Sequence, residues 1–149
     1  MTIEALNFTP QTLKRELIEQ SITHWNEMIH EARSHLLNQT WQQAAKQYWR
    51  VYPIAEQLLR ESFCKNCAIK GYIRTLVELA YVLRKNQQQE KLSAIMELSK
   101  PLWLRELSPV LIEELIAIVT NITYAPIAQI DIWIEGLFAM DEAVNQPLH

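Results

Sequence analysis

Residues 35–52 read HLLNQTWQQAAKQYWRVY, and this stretch decides the fold. Asn38-Gln39-Thr40 interrupts an apolar pattern, and a new one starts at once. Thr40 is a helix N-cap by type, with Gln43 three residues on to complete a capping box. Beyond it Trp41, Ala44, Tyr48 and Tyr52 recur in steps of three and four, then Ala55 and Leu59, which puts all six on one helical face. Upstream, Leu13, Leu17, Ile22, Trp25, Ile29, Ala32 and Leu36 trace a comparable stripe. Two amphipathic helices joined by so short a break must run antiparallel.

The same grammar extends in both directions. Thr9-Pro10 supplies an N-cap and a proline at the first helical position. Pro53 lies inside the second helix, yet the apolar phase passes through it without a slip, so the sequence predicts a kink and not a stop. Cys64-Lys65-Asn66-Cys67 reads as a connection. A third helix follows with Ile69, Ile73, Leu76, Ala80 and Leu83, ending before Asn86-Gln87-Gln88. A fourth carries Leu92, Ile95, Met96 and Leu98 and closes at Lys100-Pro101, which leaves Leu102-Trp103-Leu104 irregular. Ser108-Pro109 opens a fifth helix to about Ile122, and a sixth spans about Ile127 to Val144. In that last region Ile130, Ile132 and Ile134 alternate with Asp131, Trp133 and Glu135, so residues 115–135 stay open between helix and β-hairpin.

Composition agrees. The chain has 149 residues and only two glycines, too few for the tight turns of a β-rich domain. Hydrophobic residues make up 49%, enough for a core without help from disulfides or metal. The expectation is one soluble all-α domain over 1–149, with helices 1–4 in 9–100 and an apolar, acidic C-terminal hairpin in 108–144. Met1 to Pro10 lacks the basic start and apolar run of a signal peptide. The longest uncharged stretch, Leu115 to Ile130, is too short to span a bilayer. A cytoplasmic location is the default expectation.

The first two helices resemble a tetratricopeptide repeat. Ala32 stands at that motif's small position, and Trp41, Ala44 and Tyr48 stand at its aromatic, alanine and aromatic positions. A second copy aligns on Ala80, with Leu92 and Met96 in place of the packing alanine and an aromatic. The resemblance covers about residues 25–100, but Ala32 and Ala80 are 48 positions apart where the family repeats every 34 or so. It implies a TPR-like array of antiparallel hairpins that binds a protein or acidic peptide on a concave face. The implied lining is Asn26, Ile29, Arg33 and Leu36 from the first copy, then Arg74, Val77, Tyr81 and Arg84 from the second. Asn26, Arg33, Arg74, Tyr81 and Arg84 are therefore the expected partner-binding residues. The chain is also similar in length and acidity to the helical-repeat chaperones of bacterial secretion systems. That likeness gives the alternative of an oligomeric structural or chaperone protein using its C-terminal helices as the interface.

Charge is distributed unevenly around a net −3. Residues 61–105 hold eight basic and four acidic side chains, whereas residues 106–149 hold seven acidic and no basic ones. Either these two parts pack on each other, or the middle offers a basic groove to an anionic partner. The overall balance argues against nucleic acid.

Reactive chemistry finds little support. Cys64-x-x-Cys67 lacks the second pair of a zinc site and the βαβ context of a thioredoxin-like motif, so a surface turn is the ordinary account. Glu27-x-x-His30 has the spacing of a di-iron ligand pair, but no second such motif follows on another helix. His24, Glu27, Glu31 and His35 instead form a polar stripe. No nucleophile–base set stands out. The expectation is a non-enzyme with no cofactor and no metal, bound to protein and not to nucleic acid or membrane. Residues 127–140, apolar around most of the helix, are expected to form a homodimer.

Overall fold

The structure is a computed structural model that describes residues 9–145. The reading that the N-terminus carries no leader falls mainly on residues 1–8, outside the described residues. Six helices follow one another: α1 (Pro10–Leu37), α2 (Trp41–Glu61), α3 (Lys65–Lys85), α4 (Glu90–Glu106), α5 (Pro109–Tyr124) and α6 (Ile127–Asn145). No strand occurs among the described residues, and residues 115–135 are helical on either side of a break at Ala125-Pro126. The alternation seen there has a helical explanation. Ile130 and Ile134 are one turn apart and both buried, while Ile132 lies between them on the far side, 69% exposed.

Helix starts follow the sequence closely. Thr9 and Ser108 accept hydrogen bonds from the amides of Thr12 and Leu111, and each is followed by proline at the first helical position. Thr40 is the N-cap of α2, but its hydroxyl turns back to the carbonyl of His35 and contacts the His35 ring, so the capping box does not form. Proline does not stop either helix that carries one in its interior. Pro53 sits within α2, and Pro101 within α4, which runs on to Glu106. The sequence reading ended α4 there. The helix continues because Leu102 and Trp103 bury almost completely, and the Trp103 indole donates to the Tyr72 hydroxyl at 2.6 Å. That packing offsets the lost backbone hydrogen bond.

The core is continuous from the first hairpin to the last. Ala32 and Ala44 have no exposure, which marks the close approach of α1 and α2, and Tyr48 is equally buried beside them. In α3 every residue from Thr75 to Leu83 is buried, so this helix is the centre about which the others pack. Tyr52, Tyr72, Ser99 and Trp103 link α2, α3 and α4 through hydroxyl contacts of 2.8 Å (Tyr52–Tyr72) and 2.5 Å (Tyr52–Ser99).

The ends of α1 and α3 repeat each other. Asn38 and Asn86 are the C-caps, and Gln39 and Gln87 follow in left-handed conformation with φ of 61° and 57°. In each case the next amide reaches back to close the last turn, Thr40 onto His35 at 3.0 Å and Gln88 onto Leu83 at 2.8 Å. Both pairs are 48 positions apart, the same offset as Ala32 to Ala80.

Candidate functional site

The face expected to bind a partner is built from α1 and α3, and α6 lies against it. At its centre is Glu78, the single carboxylate within the buried run of α3, with no solvent exposure. A lone buried carboxylate must gather compensating donors. Arg33 of α1 supplies a fork, Nε to Oε1 at 2.9 Å and Nη2 to Oε2 at 2.8 Å. Arg74, one turn earlier on α3, adds Nε to Oε2 at 2.7 Å. The Tyr48 hydroxyl of α2 donates to Oε1 at 2.6 Å.

These groups shift one another. Burial weakens the charged form of Arg33, but the hydrogen bonds and field of Glu78 outweigh it and raise its pKa. Tyr48 is pushed well above its ordinary value, first by burial and then by the Glu78 charge.

The second edge of Arg74 holds α6. Its Nη1 and Nη2 donate to the Asp141 carboxylate at 3.0 and 2.5 Å. The Phe138 ring lies under both guanidinium groups, 6.0 Å from Arg33 and 5.1 Å from Arg74. Farther along, the Tyr81 hydroxyl donates to Asp131 at 2.7 Å, and Lys85 pairs with the same carboxylate at 3.2 Å. Burial, followed by the Asp131 hydrogen bond and charge, raises the Tyr81 pKa. Trp41 closes this end, edge-on to Tyr81 and beneath the Lys85 ammonium. Arg84 turns to the C-terminal end of α5, donating to the carbonyls of Ile122 (2.9 Å) and Ala125.

Arg33, Arg74, Tyr81 and Arg84 thus share one side of the molecule, but their donors are engaged by the chain itself. The basic middle and the acidic C-terminal part do pack on each other, through Lys65–Glu106, Arg74–Asp141 and Lys85–Asp131. Asn26 stands apart: it is exposed and lines a different feature. Sequence reasoning passed over Glu78, Lys85 and Asp141, and gave Tyr48 and Phe138 no part in this face. A usable signal existed for Glu78, a carboxylate embedded in the apolar run Leu76 to Leu83 with Arg74 one turn before it.

Two apolar clefts meet at Trp25 and Gly71. One, about 320 Å³, is lined by Ile22, Asn26, Ala55, Leu58 and Tyr72 among others. The other, about 480 Å³, lies toward Arg74, Val77, Ile118, Trp133 and Leu137. The Trp25 indole donates to Thr75 Oγ1 at 3.1 Å, which fixes the ring between them. Gly71 leaves the space over that ring open, since a Cβ there would stand 3.5 Å from it.

The polar stripe of α1 is exposed at His24, Glu27 and Glu31, with Glu31 accepting from Gln47 at 3.2 Å, and His35 is half-buried against the Thr40 hydroxyl at 2.9 Å. No helix among the described residues is long and apolar enough to cross a membrane. Compared with family models, curated proteins and solved structures, the chain gives no significant match.

Proposed function

We propose that the chain is a non-catalytic protein–protein interaction module of tetratricopeptide-like design, and that its partner seats in the apolar trough formed by the two clefts. The observation that carries this reading is the junction of the clefts over a fixed Trp25 ring, left open by Gly71. Apolar walls provide the area on which a peptide gains affinity, and a few polar groups at the rim set its direction. Asn26 on one rim and Lys70 beside Arg74 on the other fill that role. The preferred occupant is an amphipathic segment with apolar anchors and an acidic end. Arg33, Tyr81 and Arg84 then act by holding the walls in place.

Capture from native lysate with mass spectrometry tests the reading, comparing wild type with Gly71→Leu. The substitution fills the trough from a helical position where Leu is well tolerated. The captured set should fall about tenfold for a loss near 1.4 kcal/mol. An identical set from both proteins would overturn it.

One observation favours a second reading, an oligomer built on the C-terminal helices. Ile132 and Met140 of α6 are 69% and 67% exposed, on the side turned away from the buried Ile130 and Ile134. A homodimer through residues 127–140 would cover them.

A further inference from the structure

Cys64 and Cys67 are joined by a disulfide, with Cα atoms 5.3 Å apart, and both residues are exposed. Cys64 is the N-cap of α3, and Cys67 lies in its first turn. No side chain caps this helix; the Ser62 hydroxyl accepts only from the Cys64 amide, at 3.2 Å. Once the disulfide opens, a Cys64 thiolate stands at the position where an N-cap oxygen would accept those free amides. The positive end of the helix points at that sulfur. Both cysteines also line the smaller apolar cleft, whose walls include Ile22, Trp25 and Leu58. Phe63, 58% exposed, adjoins Cys64. A structural staple needs neither an open cleft nor an uncapped helix end.

We propose that Cys64 and Cys67 form a thiol–disulfide exchange site for a cystine-containing peptide whose apolar flank seats in the adjoining cleft. In the reduced protein the Cys64 thiolate attacks one sulfur of the partner disulfide. A bond forms between Cys64 and that sulfur, and the other partner sulfur leaves as a thiolate and takes up a proton. Cys67, deprotonated, then attacks Cys64 Sγ, closes the Cys64–Cys67 bond and expels the second partner thiolate, which is protonated in turn. The partner gains two electrons and two protons, and the protein loses them. A dithiol runs the sequence backward. This chemistry does not depend on the partner-protein reading, since exchange with a small disulfide requires no bound protein.

The test uses the full chain, reduced and then mixed with either glutathione disulfide or a synthetic peptide disulfide flanked by Leu and Phe. Cys67→Ser should accumulate a mixed disulfide through Cys64, while Cys64→Ser should do so about tenfold more slowly. Wild type should react faster with the peptide disulfide flanked by Leu and Phe than with one flanked by Ser and Gly. Wild type should outpace an unstructured peptide of sequence CKNC. Equal trapping by the two serine variants, or a wild-type rate matching the free peptide, would overturn the site. Equal rates with the two peptide disulfides would overturn the role of the cleft.

Discussion

Arg33 on α1 closes two hydrogen bonds, at 2.9 and 2.8 Å, onto the Glu78 carboxylate of α3, which has no exposure to solvent. Arg74 and Tyr48 complete the same carboxylate's shell, and Arg74 continues to Asp141 on α6. Four helices therefore meet at one buried charge. Each guanidinium is fixed from inside, and the face it occupies is held by the chain's own carboxylates.

Removing these donors should cost stability. Arg74→Ala with Arg84→Ala takes one partner from Glu78, frees Asp141 and leaves the carbonyls of Ile122 and Ala125 without their cation. The expected loss is about 2–4 kcal/mol, since hydrogen bonds to charged groups are worth more than neutral ones. Urea denaturation measures it. Unchanged stability together with weakened partner capture would return these arginines to the binding surface.

The contact between α1 and α2 is equally sensitive. Ala44 has no exposure and lies among Ala32, Tyr48 and their neighbours. Ala44→Phe should overpack this approach and cost about 1–3 kcal/mol. A thermal melt unchanged from wild type would place the close approach elsewhere.

Tyrosine ionisation gives a pH limit. Burial raises the pKa of Tyr48, Tyr52, Tyr72 and Tyr81 above the ordinary 10.0. A group with a raised pKa in the fold contributes stability that is complete below its unfolded value and is lost as pH rises through the folded one. The protein should therefore hold its stability up to about pH 10 and weaken above it. Tyrosinate absorbance should then rise together with the loss of helix. Ionisation of all the tyrosines near pH 10 in a fully helical protein would show that these phenols are not enclosed.

Exposed Ile132 and Met140 make a dimer through α6 the second proposal. Wild type should sediment as a dimer in the micromolar range, and Ile132→Glu should shift it to monomer while leaving its circular dichroism unchanged. A wild-type monomer throughout that range would mean that Ile132 and Met140 simply remain on the surface.

The hairpins were legible because helix periodicity and caps are local. Thr9, Ser108, Asn38 and Asn86 act where their types suggest, and the apolar phase through Pro53 told truly that α2 continues. Pro101 misled because the reason α4 continues is tertiary: Trp103 finds its place only when Tyr72 is opposite. The stripe of α1 was also only half informative. Leu13 and Leu17 are 53% and 55% exposed while Ile18 is buried, because the partner helix sets which side turns inward. Arg33 and Tyr81 reach acceptors 45 and 50 positions away and Arg74 reaches Asp141 67 away, pairings no local pattern carries, whereas Arg74 and Glu78 stand one turn apart.

The central claim, that the inner arginines are architecture, is tested most directly by a double-mutant cycle on Arg33 and Glu78. Unfolding free energies would be measured for wild type, Arg33→Met, Glu78→Leu and the pair. Arg33→Met alone takes two of the four hydrogen bonds from a buried carboxylate, leaves it to Arg74 and Tyr48, and should cost about 3 kcal/mol. In the Glu78→Leu background the same change should cost less than about 1 kcal/mol, because the buried carboxylate that Arg33 serves is gone. An equal cost of Arg33→Met in both backgrounds would contradict the account and leave Arg33 free to serve a partner.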